Sequence, residues 1–243
     1  MSTPPEIRPI RPRVFGIPAG EAPVVAVLQR GPSAWCHTGR WELEPPAYEP
    51  GSWVHGTLYP QRCDLSPDGR WLAYFLHKPA AAWAPGGTYL AISRLPWLRA
   101  LVAWGTGGTW TGGIHFVADT GAWELPEPDA GDAWDQQRSG RIVMQKPRPA
   151  GDPLLEVRGD YAETRSLHGQ RTDCAYTLRA GPRGLRVEDV QWADWDRRGR
   201  LLVATGDGRI QVRRYSAGGW ELEWEHSLPS RPDPAPPPPE GGW

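Results

Sequence analysis

The residues of this chain that could take part in catalysis or ligand binding are dispersed along the sequence. Histidines and cysteines could bind a metal ion, but none occurs at a Cys-x-x-Cys, His-x-His or His-Glu-x-x-His spacing. The residues concerned are His37, His55, His77, His115, His168, His226, Cys36, Cys63 and Cys174. We therefore expect ordinary, partly buried histidines and free thiols, with no metal ion and no other cofactor.

A nucleophilic site is not indicated either. The Gly-x-Ser-x-Gly turn that presents a catalytic serine does not occur in the sequence. Cys63 precedes Asp64, and Cys174 follows Asp173. A neighbouring carboxylate raises the pKa of a thiol and disfavours the reactive thiolate, so neither cysteine is a good nucleophile.

Two pairs of acidic residues could supply the acid and the base of a glycoside hydrolase. They are Asp194 with Asp196, and Glu188 with Asp189. Asp196, however, lies in a turn-like segment, where aspartate is favoured because it bonds to the nearby backbone. We interpret it as a turn residue, and the sequence predicts no catalytic residue.

The glycine-rich segment 105–113 is the best candidate for ligand binding. Five glycines and three threonines could present a nest of backbone N–H groups to an anion. The segment lacks the lysine of a Walker loop, so a flexible loop between sheets is the alternative. Aromatic residues and a histidine flank it. The candidate binding residues are Trp104, Thr106, Trp110, Thr111 and His115.

A repeated sequence pattern indicates which kind of secondary structure positions these residues. Residues 65–74 and 195–204 each contain a polar turn that ends in Gly-Arg and is followed directly by an apolar run. A looser copy covers residues 117–125. Short apolar or alternating runs, separated by Gly, Pro, Asp and Ser, follow one another along most of the chain. This pattern predicts repeated antiparallel sheets.

The spacing of the turn glycines indicates the size of the repeat. Gly69, Gly121 and Gly199 are 52 and 78 residues apart, and a β-propeller blade takes about 40–50 residues. We therefore expect a further, divergent unit between residues 141 and 185. Residues 25–43 and 210–222 share a hairpin pattern that we assign to the third and fourth strands of a blade.

The segment 65–74, with its Ser-Pro-Asp-Gly-Arg sequence, resembles the repeat of TolB-type and WD-repeat β-propellers. The resemblance implies that this turn joins the first and second strands of a blade. It extends to residues 190–215, which would supply three successive strands. We thus expect an all-β, β-propeller-like array of about four to five small antiparallel sheets, with a β-sandwich as the alternative. We expect a strand over 98–104, with a short helix over 96–105 as the alternative.

The composition divides the chain into three parts. Residues 1–22 are predicted to form an extended Pro/Arg-rich arm, 23–228 a single β-propeller-like domain, and 229–243 a disordered Pro-rich tail. The net charge of −1 argues against binding to nucleic acid or to a membrane. The sequence shows no signal peptide and only three cysteines, so we expect a cytoplasmic protein.

The function that these features favour is a non-catalytic protein-interaction module or scaffold. Propellers of the kind it resembles often present loops and aromatic residues to a protein partner, and 15 tryptophans would suit such a surface. The alternatives are a propeller that binds a small molecule or glycan, and a hydrolase whose site is not visible in the sequence. If the ring of sheets does not close, we expect either a homodimer or a partner that completes the ring, because open strand edges tend to pair.

Overall fold

The fold consists of small antiparallel sheets in which each strand pairs with the next along the chain. The computed structural model describes the following residues: 13–31, 34–78, 86–108, 113–117, 123–124, 138–149, 151–163, 171–180, 183–187, 189–216, 219–230 and 232. In this part of the chain there are four larger sheets, one two-stranded pair and a single turn of 3₁₀ helix at Pro60–Arg62.

Sheet 1 contains the strands β1 Arg13–Pro18, β2 Val24–Arg30, β3 Trp35–Leu43 and β4 Pro46–His55. Sheet 2 contains β5 Thr57–Leu58, β6 Asp64–Leu65, β7 Trp71–His77, β8 Thr88–Arg94 and β9 Ala100–Gly105. Sheet 3 contains β10 His115–Phe116 and β11 Trp123–Glu124. Sheet 4 contains β12 Arg138–Pro147, β13 Leu154–Glu163, β14 Arg171–Ala180 and β15 Arg183–Arg186. Sheet 5 contains β16 Val190–Trp195, β17 Leu201–Thr205, β18 Arg209–Ser216 and β19 Gly219–Ser227.

The sheets cover one another face to face, as predicted for a propeller-like array. Sheet 1 packs against sheet 2 on one side and sheet 5 on the other, while sheet 4 packs on sheet 5 and β10 of sheet 3 contacts β6. The strands β2, β7 and β17 are buried on both faces. This double burial explains why their sequences are continuous apolar runs rather than alternating patterns.

The first and last of the described sheets meet at a close seam. Gly16 of β1 lies against the indole ring of Trp192 of β16, where an added Cβ would come within 2.5 Å of the ring. The backbone N–H of Val14 donates to Oε1 of Gln191 at 2.8 Å. The core of this seam contains Trp41 and Leu202, both fully buried. Sheet 5 thereby covers the face of sheet 1 that sheet 2 leaves open.

The repeated polar turn joins two strands that pair with each other, β6 with β7 in sheet 2 and β16 with β17 in sheet 5. In the turn between β6 and β7, Oδ1 of Asp68 accepts hydrogen bonds from Ser66 Oγ at 2.6 Å and from the N–H of Arg70 at 3.1 Å. Gly69 has a φ of +69° and donates to the Ser66 carbonyl. A residue with a Cβ disfavours this left-handed conformation, which explains the glycine.

The turn between β16 and β17 has the same design. Oδ1 of Asp196 accepts hydrogen bonds from the N–H groups of Arg198 and Arg200, and Gly199 has a φ of +71°. The buried Arg200 guanidinium bonds to Oδ2 of Asp196 at 2.6 Å and to the Leu43 carbonyl of sheet 1 at 3.1 Å. The aspartate therefore organises the turn and also orients the arginine that links two sheets.

Neighbouring sheets use these turns as contact points. Arg40 of sheet 1 donates to the carbonyl of Gly69 in sheet 2 at 2.7 Å. Arg148 of sheet 4 donates to the carbonyl of Gly199 in sheet 5 at 2.6 Å. In both pairs an arginine of one sheet binds the turn glycine of the next, so the repeated sequence corresponds to a repeated contact between sheets.

Several sequence-based expectations need correction. Residues 13–18 form β1, so the sheet structure begins within the 1–22 segment predicted to be an arm. The pattern at 25–43 belongs to the second and third strands of sheet 1, not to the third and fourth. The sequence pattern also does not show the 3₁₀ turn at Pro60–Arg62, which separates β5 from β6.

Other expectations about the fold are confirmed. Sheet 4 is the divergent unit expected between residues 141 and 185. Residues 100–105 form a strand, as expected over the helical alternative. The glycine of the third repeat copy, Gly121, and most of the arm and tail lie outside the described residues.

We predict that Gly16→Ala destabilises the fold by about 1–3 kcal/mol, because the added methyl group overpacks the seam against Trp192. Urea denaturation of wild type and variant measures this loss. The matched control is Gly20→Ala, where an added Cβ meets nothing within 4 Å. Equal stability of the two variants would contradict the tight seam.

Candidate functional site

Of the predicted binding residues that the structure describes, Trp104 lies on β9, Thr106 directly follows that strand and His115 lies on β10. Trp104 is half-buried near the end of β9 and packs against a core that contains Phe75 and Ile114. The hydroxyl group of Thr106 donates to the Gly108 carbonyl at 2.7 Å. The loop thus uses the hydrogen-bonding capacity of Thr106 internally.

His115 begins β10 and is exposed. Its Nδ1 lies 3.9 Å from Oδ2 of Asp64, and the same carboxylate oxygen accepts the N–H of Phe116 at 2.8 Å. Phe116 packs against the same core as Trp104. Trp110 and Thr111 lie outside the described residues.

The strand that leads into this loop, β9, is uncharged and exposes apolar side chains. β9 has the sequence Ala-Leu-Val-Ala-Trp-Gly and carries no charge. In the described part of the chain it pairs only with β8. Leu101 is 50% exposed and Val102 is 39% exposed. Among the described strands β9 is therefore an apolar strand at a sheet edge, an arrangement that favours pairing with a further strand.

The hydrogen-bond ladder between β8 and β9 determines which backbone groups of β9 face outward. The N–H of Thr106 donates to the Thr88 carbonyl at 3.0 Å. Since hydrogen-bonded and non-hydrogen-bonded pairs alternate in an antiparallel ladder, Trp104 and Val102 also direct their backbone groups toward β8. Ala103 and Gly105 then direct theirs outward. In the part of the chain that the structure describes, no strand pairs with these outward N–H and C=O groups, so an incoming strand could use them.

Outer strands elsewhere carry features that discourage such pairing. β4 contains Pro46 and Pro50, and proline removes a donor from an edge. β19 contains Glu221, Glu223 and Glu225 at alternate positions. Charge and proline both protect sheet edges in natural proteins. β9 has neither, which distinguishes it from these two edges.

This edge was not among the predicted sites, because the glycine-rich loop next to it carries the stronger sequence signal. The available signal was an uncharged six-residue run, Ala100–Gly105, just before that loop. The sequence could not show that the run forms an outer strand, since an inner strand such as β17 is equally apolar. Exposure of Leu101 and Val102 is a property of their position in the sheet.

The two described thiols are buried and bonded to backbone. Sγ of Cys36 donates to the Gly56 carbonyl at 3.3 Å, and Sγ of Cys63 donates to the Tyr59 carbonyl at 3.2 Å. Burial raises the pKa of both thiols, that of Cys63 to about 12. A thiol with a raised pKa is a poor nucleophile, which agrees with the sequence-based interpretation.

Two of the carboxylates considered for hydrolysis, Asp194 and Asp196, are engaged in ion pairs. Asp194 bonds to the Lys146 ammonium group through Oδ2 and accepts the N–H of Trp195 through Oδ1. Asp196 is buried against Arg200. Each carboxylate thus has its own cation, and the two pairs link strands and turns. This arrangement fits the predicted structural role of Asp196.

One buried histidine contributes to the seam between sheets 1 and 5. The ring of His37 stacks on Trp53 with 4.5 Å between centroids, and its Nδ1 lies 3.4 Å from Tyr48 Oη. The ring of Tyr48 in turn packs on His226 of sheet 5. Burial lowers the pKa of His37 to about 4, so this imidazole is neutral at physiological pH.

A cleft of about 250 Å³ lies between the polar turns of sheets 1 and 5. Pro18, Ala22, Val24 and Trp195 supply apolar surface. Glu44 and the Asp196–Arg198 turn line it as well, and Arg198 donates to the Glu44 carboxylate. The cleft has room for a small, mainly apolar group beside an ion pair.

We predict that His37 makes the fold sensitive to acid. Its folded pKa of about 4 lies below the ordinary value of 6.5, so the unfolded chain binds a proton more readily. Its contribution is fully present above pH 6.5 and decreases as the pH falls toward 4, reaching a loss of about 3 kcal/mol.

Denaturation of wild type and His37→Gln across this pH range isolates the effect, because other titrating groups are common to both. The free energy of unfolding of the wild type should fall more steeply than that of the variant. Parallel pH profiles would contradict the lowered pKa.

Known proteins offer no assignment for this chain. Comparison with protein-family models, with curated proteins and with solved structures finds no match. The resemblance to TolB-type and WD-repeat propellers therefore stays a prediction. Among the described residues, no three His, Cys, Asp or Glu side chains are grouped to hold a metal ion, and no helix is long and apolar enough to cross a membrane.

Proposed function

We propose that this protein is a non-catalytic interaction module that binds an extended segment of a protein partner along β9. The observation that carries the proposal is the open, uncharged edge of sheet 2, with Leu101 and Val102 exposed. Addition of a strand to such an edge is a common mode of peptide recognition, in which backbone hydrogen bonds supply affinity and side-chain contacts supply specificity.

The edge supplies both kinds of contact. Ala103 and Gly105 provide outward N–H and C=O groups to the incoming backbone. Val102 shares a face with Trp104, and a partner side chain opposite either residue would cover apolar surface. Covering apolar surface contributes roughly 25 cal/mol per Å². The bound segment would therefore be extended and apolar at alternate positions.

The remaining chemistry-bearing residues support a non-catalytic role. Asp194 and Asp196 neutralise Lys146 and Arg200, and the Cys36 and Cys63 thiols are buried with raised pKa values. These groups stabilise the sheets that present β9. The two free, buried thiols also support the cytoplasmic location included in this proposal, because that compartment keeps thiols reduced.

The experiment compares two lysine variants at exposed leucines on outer strands. Leu101→Lys places a charge on the proposed edge, whereas Leu222→Lys places one on β19, where Leu222 is 56% exposed. Affinity capture from extracts of the native host, quantified by mass spectrometry, should recover the same partner with wild type and Leu222→Lys. Recovery with Leu101→Lys should fall about tenfold, since an unpaired charge opposes burial.

Thermal unfolding of both variants shows that each keeps the fold. Equal recovery of the partner by all three proteins would contradict a role for β9. Recovery of no protein above the bead background, together with a chain that does not self-associate, would contradict the interaction module itself.

The cleft between sheets 1 and 5 favours a second candidate function, binding of a small molecule. Trp195 lines this cleft, so ligand binding should change tryptophan fluorescence. Ala22→Leu would fill part of the cleft and should abolish a saturable change obtained with a panel of small apolar and carbohydrate ligands. A change that persists in the variant would place binding elsewhere.

A further inference from the structure

We infer that the segment which pairs with β9 is β9 of a second copy of this chain, antiparallel to the first about a two-fold axis at Ala103. The inference rests on the proposed function, because both use the same edge. It goes further in naming the partner and the register.

The register follows from the backbone groups that face outward. Two antiparallel strands pair when their outward residues oppose one another. An axis at Ala103 places this residue opposite itself and places Gly105 opposite Leu101. The ladder of β9 with β8 becomes irregular next to Leu101, where Ile92 pairs with Val102 but Ser93 pairs with Ala100. Of the two outward residues in the regular part, Ala103 and Gly105, Ala103 lies nearer the middle of β9, and we place the axis there.

This register makes the exposed side chains complementary to their own copies. Val102 of one copy lies opposite Trp104 of the other, on the same face of the joined sheets. A pair of aromatic and β-branched residues is a favourable cross-strand combination. Leu101, the other exposed residue, lies opposite Gly105, which leaves room for it. Val102 thus gains an aromatic cross-strand neighbour, and Leu101 meets no steric obstruction.

The absence of charge on β9 favours a second copy. Self-pairing about a two-fold axis brings identical side chains near one another, so a charged strand would repel itself. At β19, self-pairing would bring Glu221, Glu223 and Glu225 of two copies together. At β4, Pro50 lacks an N–H donor, and Glu49 would repel the same residue of the second copy. Of these three outer strands, only β9 can pair with its own copy without repulsion or a missing donor.

The short ladder predicts a weak dimer. One six-residue strand buries less surface than a standard interface, so we expect a dissociation constant on the order of 10–100 μM. Sedimentation equilibrium of the full chain from about 1 to 300 μM covers this range. The expected result is a reversible monomer–dimer equilibrium.

Two variants test whether β9 forms the dimer. Ala103→Pro removes an outward N–H that β8 does not use, so it should block pairing while the sheet remains intact. Leu101→Lys adds a charge to the same edge. Each should weaken the dimer about tenfold or more. Leu222→Lys is the matched control and should leave the dissociation constant unchanged.

A cysteine at the axis tests the register. Residues opposite one another in a hydrogen-bonded antiparallel pair have Cα atoms about 5.5 Å apart, which a disulfide can span. Mild oxidation of Ala103→Cys should therefore give a covalent dimer. Leu222→Cys and the wild type, which retains the native cysteines, should remain largely uncrosslinked. Efficient crosslinking of Leu222→Cys, or none of Ala103→Cys, would overturn the register.

The outcomes separate this inference from the proposed function. A chain that is monomeric at every concentration, but loses a heterologous partner on Leu101→Lys substitution, overturns the second copy and retains the interaction module. A dimer unaffected by Ala103→Pro and Leu101→Lys overturns the inference as well. If Leu101→Lys affects neither self-association nor partner capture, both proposals fail.

Discussion

The structure depends on the mutual burial of small sheets that have apolar residues on both faces. A single sheet of this size cannot cover its own faces, so each one is stable only between neighbours. The second strands of sheets 1, 2 and 5 are buried on both sides, and their apolar sequences reflect this requirement. At the seam where Trp192 lies over Gly16, the first and last described sheets cover each other, although most of the chain separates them in sequence.

Polar contacts between sheets give this apolar packing its register. Asp196 bonds to the backbone of its own turn and to the Arg200 guanidinium, which reaches the Leu43 carbonyl on the next sheet. Arg40 and Arg148 bind turn glycines of the following sheets in the same way. Hydrophobic burial is non-directional, whereas these hydrogen bonds fix one sheet relative to another. A turn that seems purely local therefore also serves the arrangement of sheets.

The same construction leaves an outer edge on each sheet, and the edges differ in how they are protected. Prolines in β4 and glutamates in β19 discourage pairing, while β9 has only apolar and small residues. The burial that stabilises the inner strands does not require this composition at an outer strand. An unprotected edge is a liability unless something binds it. This contrast connects the fold to the proposed interaction and to the proposed dimer.

The sequence by itself determined the all-β class, the repeated turns and most strands. Asp68 and Asp196 accept hydrogen bonds from backbone N–H groups at most four residues further along the chain. The turn glycines adopt a left-handed conformation. These signals are therefore short-range. Tertiary structure alone decided that residues 13–18 form the first strand, that Arg200 links two sheets and that Leu101 is exposed. The predicted site was only partly located, with Trp104, Thr106 and His115 placed on and beside sheet 2. Exposure depends on which sheet lies alongside, and an apolar run has the same sequence whether a neighbour covers it or not.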